Sequence, residues 1–193
     1  ELAAVAVEST YNWYWLVDGL QGAGYNVKLA NTVAMKKYDG LKHSNDETDA
    51  QYLAHMLRLN ILPTGTILAP EQRAIRDLAR KRLQLVRSRT SHILAIENIA
   101  ARQQAISINS NQVKRLQAED VDKLPLPADV ALAINSNLAV VHTLSEQITR
   151  LENRLQEEMS QRAEYDLLLS VPGIGRILAV IILLETGPIE RFA

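Results

Sequence analysis

Cysteine is absent from the 193 residues. That excludes disulfides and thiolate metal sites, and it fits a reducing compartment. Long apolar runs are also missing. None approaches the roughly 20 residues that a membrane-spanning helix needs, so no membrane partner is expected. The first residues, Glu1-Leu2-Ala3-Ala4, include no initiator Met and lack the basic-then-apolar layout of a signal peptide. The expectation is a chain that begins inside a longer protein. Between residues 71 and about 106 there is neither proline nor glycine, so nothing there interrupts a helix.

What is present is ordinary for a globular protein: 47% apolar and 22% charged residues. The net charge of −1 hides a segregation. Residues 71–115 hold ten Lys or Arg and three acids, an excess of seven positive charges that the rest of the chain offsets. Such a stretch suits a polyanion partner; the alternative is a solvated helix face.

Leu2-Ala3-Ala4-Val5-Ala6-Val7 is a short apolar run ending at Glu8, which reads as a buried strand. Trp13, Leu16, Val17 and Leu20 have helical spacing, and Gly22 and Gly24 stop that helix. Tyr25, Val27 and Leu29 then alternate as a second strand. Strand, helix and strand in this order predict parallel strands joined by a right-handed crossover. A short helix is expected near Val33 to Tyr38, then a polar loop through Lys42-His43-Ser44-Asn45, then a helix from about Asp46 to Leu59. Pro63 and Gly65 close this first unit.

From Pro70 the character changes. Ala79, Val86, Ile93 and Ala100 recur every seven residues along a helix over about 71–106. Pro125 and Pro127 interrupt, and a second long helix is expected over about 128–164. Its apolar residues Ile134, Leu138, Val141, Leu144, Ile148, Leu151, Leu155 and Met159 step by three or four, close to a coiled-coil seam. Two such helices predict an antiparallel hairpin with its basic side outward, where Arg80 and Arg87 would meet nucleic-acid phosphates. Val171-Pro172-Gly173-Ile174-Gly175 lies between two apolar helices. Glycines let a phosphate approach the backbone, and the following helix start offers its amides. The pattern is that of a helix-hairpin-helix gripping nucleic acid without reading sequence, through Gly173, Ile174, Gly175 and Arg176. The alternative is a plain Pro-Gly turn between core helices.

Glu8 ends a parallel strand, the edge where open α/β sheets bind ligands. Asp46 and Asp49 are three apart at a helix start and share one face. Three converging carboxylates need a compensating cation, and Mg²⁺, which prefers hard oxygen ligands, suits them; two ions could brace a phosphodiester exchange. The competing reading is that Asp46, Glu47 and Asp49 only complement the helix dipole, with Ser44 or Asn45 as cap.

Ala6-Val7-Glu8-Ser9-Thr10, followed by Lys42 through Asp46-Glu47-Thr48-Asp49-Ala50 with Leu53-Ala54, resembles the DEDD transposases of the insertion-sequence 110 family. Leu169-Ser170-Val171-Pro172-Gly173-Ile174-Gly175, with Glu185-Thr186-Gly187 and Arg191-Phe192, resembles the start of that family's second conserved domain. The resemblance implies an α/β plus α chain. A partial ribonuclease-H-like (RuvC-like, Holliday-junction-resolvase-like) domain over 1–65 would precede a helical hairpin over 70–164, and a helix-hairpin-helix-like start of the C-terminal transposase domain would occupy 165–193. It implies four acids on Mg²⁺, with Glu8, Asp46 and Asp49 matching the second, third and fourth. It implies a nucleophilic serine in the second domain, DNA as substrate, a structured guide RNA as partner, a homodimer or homotetramer, and a prokaryotic cytoplasmic setting. The first acid would lie on a strand before Glu1 and the serine beyond Phe192. Neither is in this chain, and none of Ser9, Ser44 and Ser170 matches the serine motif, so the fragment alone is expected to be inactive. Two other readings share these residues: a junction-cleaving nuclease that uses water, and a non-enzymatic helical nucleic-acid-binding or dimerising module. An upstream Asp together with a downstream Ser-Gly would select the transposase.

Overall fold

A computed structural model of the chain describes residues 2–10, 12–35, 45–104 and 107–187. It is mostly helical, with one small three-stranded sheet, and it divides into two compact units, residues 1–68 and 69–193. Among the described residues no helix is long and apolar enough to cross a membrane.

The first unit runs β1 (Val5–Glu8), α1 (Tyr14–Gly22), β2 (Val27–Ala30), α2 (Thr32–Met35), α3 (Asp46–Arg58) and β3 (Thr64–Gly65). β1 and β2 pair in parallel, Val5 opposite Val27 and Glu8 opposite Ala30. The pairing begins later than the apolar run because α1 must first close. Gly24, at φ 85°, makes that turn and donates its amide to Gln21, a backbone conformation that other residues adopt only with strain. Val7, Trp13, Val17, Val27 and Leu29 form the core between sheet and helix. β3 adds an antiparallel edge of two residues, Leu29 opposite Gly65. It was not expected, since a two-residue strand has no alternation to read. The expected continuation of α2 to Tyr38 and the loop residues Lys42, His43 and Ser44 lie outside the described residues.

The second unit holds α4 (Pro70–Gln104), α5 (Ser110–Val113), α6 (Ala118–Asp122), α7 (Ala128–Met159), α8 (Ala163–Leu169) and α9 (Arg176–Thr186). α4 and α7 pack along their length in opposite directions. Arg82 meets Glu152, Arg89 meets Ser145 and His92 meets Asn137, so one number rises as the other falls. The seven-residue series on α4 faces inward: Ala79, Ile93 and Ala100 are buried and Val86 is half-buried. On α7 the buried positions are Ile134, Leu138, Val141, Ile148, Leu155 and Met159, the stripe that the spacing predicted.

Two differences from expectation are physical. α7 ends at Met159 rather than near Glu164. Met159 and Tyr165 must both enter one core, and a chain break at 160–162 lets them do so. The link between the long helices is not a bare Pro loop. α5 and α6 cap the far end, placing Val113 and Val121 against Ile134, Leu138 and Val141. Asn109 and Gln112 close a capping box that starts α5. At the near end, α8 and α9 share a core with the long helices through Tyr165, Ala179, Val180 and Leu184.

Candidate metal centre and nucleic-acid interface

α3 lies against β1, the strand that ends in Glu8. Along α3, Leu53, Met56 and Leu57 are its buried or half-buried residues. Asp46 and Asp49 continue that three-and-four spacing toward the N-terminus, so they lie on the inward stripe of the helix. Both remain exposed, as does Glu8. The cap itself is made by other groups. The Asn45 side chain accepts from the Thr48 amide at 2.9 Å, and Thr48 Oγ1 accepts from the Asn45 amide at 2.9 Å. Glu8, Asp46 and Asp49 carry no side-chain hydrogen bond or ion pair with other described residues. Capping therefore does not consume the two aspartates, although they still complement the helix dipole.

The three acids are not gathered into one cluster. Among the described residues no group of three or more His, Asp or Glu side chains is close enough to hold a metal ion. The expected convergence is met only in part. Two acids share a first turn, and the strand bearing the third lies against the same helix. As a donor set, three free carboxylates are the hard oxygen ligands that Mg²⁺ prefers.

The turn between α8 and α9 is open. Gly173 has φ 91°, which glycine adopts without strain. A Cβ on Gly173 or Gly175 would meet nothing within 4 Å. Gly175 is the N-cap of α9, and no side chain caps that helix, so its first-turn amides are left for water or an anion. Arg176, the first helical residue, is exposed. Ile174 differs from the expectation. Its amide donates to the Val171 carbonyl at 3.1 Å and its side chain packs on the near-end core. It shapes the turn and has no free amide for a phosphate.

The basic helix face is partly committed. Arg80 donates to both Glu185 oxygens, at 2.8 and 2.7 Å, tying α4 to α9. Arg82 is spent on Glu152. Arg87 is exposed and has no partner among the described residues. Sequence reasoning could not assign these pairings, because Arg80 and Glu185 are 105 positions apart.

The Arg80 hydrogen bond holds the Glu185 carboxyl below its usual range, against a partial burial that raises it. A depressed carboxylate stabilises the fold above the unfolded value of about 4.3, and that contribution fades as pH falls through the folded value. Both side chains are about half exposed, so the contribution is small, below about 1 kcal/mol. Glu185→Gln is expected to lower the thermal midpoint slightly at pH 7 and to leave it unchanged at pH 3. An equal loss at both values would show that the charge pair is not the cause.

The profile of a transposase family, the DEDD transposases of insertion sequence 110, matches residues 2–104. The chain belongs to this family. Its match spans both segments that carry the candidate acids. A curated relative, described as a probable family 20 transposase from Pseudomonas aeruginosa strain PAO1, is 25% identical over 193 residues. That alignment covers 97% of this chain and 56% of the relative, so the chain spans a little over half of the relative's length. The turn at 171–175 and the α9 segment lie beyond the part matched by the DEDD transposase profile.

Proposed function

We propose that this chain is the acid-bearing domain and long helix pair of a Mg²⁺-dependent DNA transposase, in which Glu8, Asp46 and Asp49 hold the metal. The chief support is the packing of α3 on β1. It puts two uncommitted aspartates on the stripe facing the sheet, beside the strand that ends in a third uncommitted acid. Family membership adds the reaction class. Bound there, Mg²⁺ would compensate the repulsion among the carboxylates and stabilise charge on a phosphodiester in strand exchange.

The chain's own residues do the rest. Asn45 and Thr48 fix the start of α3, which sets the spacing of Asp46 and Asp49. The 1–68 unit is a partial ribonuclease-H-like domain. The α4–α7 pair is a helical hairpin of coiled-coil type, and the α8–α9 turn is a helix-hairpin-helix. Gly173, Gly175 and Arg176 take a DNA phosphate through backbone amides and one guanidinium, and Arg87 meets phosphates along α4. Arg80 supports this surface by holding α9 rather than by binding phosphate. The full-length transposase adds a fourth acid and a nucleophilic serine, and it works in the prokaryotic cytoplasm as a guide-RNA-bound homodimer or homotetramer.

The test uses the full-length parent and labelled DNA that carries the element's ends. Strand cleavage is expected to stop in EDTA and to return with Mg²⁺. Cleavage that persists in EDTA after extensive dialysis would remove the metal from the mechanism.

A further inference from the structure

At the far end of the second unit a groove of about 320 Å³ runs between α4 and α5. Small-molecule sites begin at about 300 Å³. Its walls are Arg89, Ile93, Leu94 and Glu97 on α4, with Ser110 and Lys114 opposite. On α4 the residues Arg89, Ile93 and Glu97 follow one another at four-residue steps, so they form one stripe. Ile93 is buried and makes the floor, while Leu94 is 51% exposed and makes an apolar wall.

The charges are placed asymmetrically. Arg89 is half-buried, and its one described partner is a hydroxyl, Ser145 Oγ at 3.2 Å. Lys114 has no partner among the described residues, and neither does Glu97. A half-buried guanidinium facing an uncommitted ammonium is a poor arrangement unless an anion joins them. The ligand therefore has an anionic part for Arg89 and Lys114. It also has a flat apolar part for Leu94, and a hydrogen-bond donor for Glu97.

We propose that this groove takes one unpaired nucleotide of a nucleic-acid strand. The phosphodiester lies between Arg89 and Lys114, the base lies against Leu94, and Glu97 accepts from an exocyclic amino group. A duplex does not fit this description, because its base faces are stacked and covered; only an unstacked base can lie on an apolar wall. The proposal rests on the nucleic-acid reading above for its ligand class, but it uses none of the acids or glycines of that reading.

The test is fluorescence anisotropy with the chain as described, using a fluorescein-labelled single-stranded oligodeoxynucleotide, its duplex, and an abasic version of the strand. Lys114→Gln is expected to weaken single-strand binding roughly tenfold and to lower the log–log salt slope by about one. Leu94→Ser, on an exposed position, should weaken the strand toward the abasic level and leave duplex binding unchanged. Glu97→Gln should weaken oligo-dC and spare oligo-dT, since thymine has no exocyclic amine. If the unaltered chain binds nucleic acid but Lys114→Gln and Leu94→Ser bind equally well, the groove is not the site and the wider reading stands. If the abasic strand binds as well as the normal one, no base occupies the groove. Equal competition by poly-glutamate would make it an acidic-peptide site. Failure of the unaltered chain to bind any of the probes would overturn both this proposal and the nucleic-acid reading.

Discussion

Asp46→Asn together with Asp49→Asn, placed in the full-length parent, is expected to lower DNA strand cleavage by roughly two orders of magnitude or more. A metal that stabilises transition-state charge contributes several kcal/mol, and each 1.36 kcal/mol corresponds to about tenfold in rate. Folding should survive. Both positions are exposed, and the Asn45–Thr48 capping box that starts α3 does not use them. The loss in stability should be that of weakened dipole complementation, about 0.3–1 kcal/mol for each charge. Cleavage of labelled DNA and a thermal melt followed by circular dichroism separate the two effects. A doubly substituted protein that cleaves at the original rate would dismiss these aspartates from the chemistry. One that fails to fold would show instead that they hold α3 in place.

Leu155→Ala is expected to destabilise the second unit by about 2–5 kcal/mol. Leu155 is 1% exposed and sits in the cluster where α4, α7, α8 and α9 meet, among Ala79, Met159, Tyr165 and Val180. Removing its branched end leaves a hole that four helices would have to close together. The comparison is Leu132→Ala on the same helix. Leu132 is 66% exposed, so that change should stay within about 0.5 kcal/mol. Urea unfolding of the two proteins gives the difference directly. Similar midpoints would mean that the near-end cluster contributes little to stability.

The contrast between these two leucines also shows what could be read in the sequence. Burial along α4 and α7 followed from spacing, because a residue three or four positions from a core neighbour shares its face. Leu155 belonged to that series and Leu132 did not. The parallel pairing of β1 with β2 followed from the order strand, helix, strand. The acids of α3 could be found as a pair, since three positions make almost one helical turn. Whether Glu8 approaches them depends on a sheet–helix contact that no local spacing encodes.

Other features were hidden for specific reasons. β3 is held by two backbone pairings to β2, and its residues Thr64 and Gly65 carry no strand signature. The short helices α5 and α6 owe their existence to Val113 and Val121 reaching the far-end core, a tertiary reason. The Arg80–Glu185 and Arg82–Glu152 pairs join residues remote in sequence. A count of basic residues on α4 therefore overstates the charge still free for a polyanion. Ile174 illustrates the converse. It lies inside a recognisable motif, yet its amide is already bonded to Val171.

The second unit has two apolar clusters with no residue in common, one at each end of the α4–α7 pair. Between them the helices are bridged by Arg82 to Glu152 and Arg89 to Ser145. Polar rungs resist sliding but transmit little packing strain, so the two ends are separate cooperative segments. The α5–α6 end can therefore fray and re-form without loosening the end that carries the α8–α9 turn, much as one end of a ladder can sway while the other stays footed.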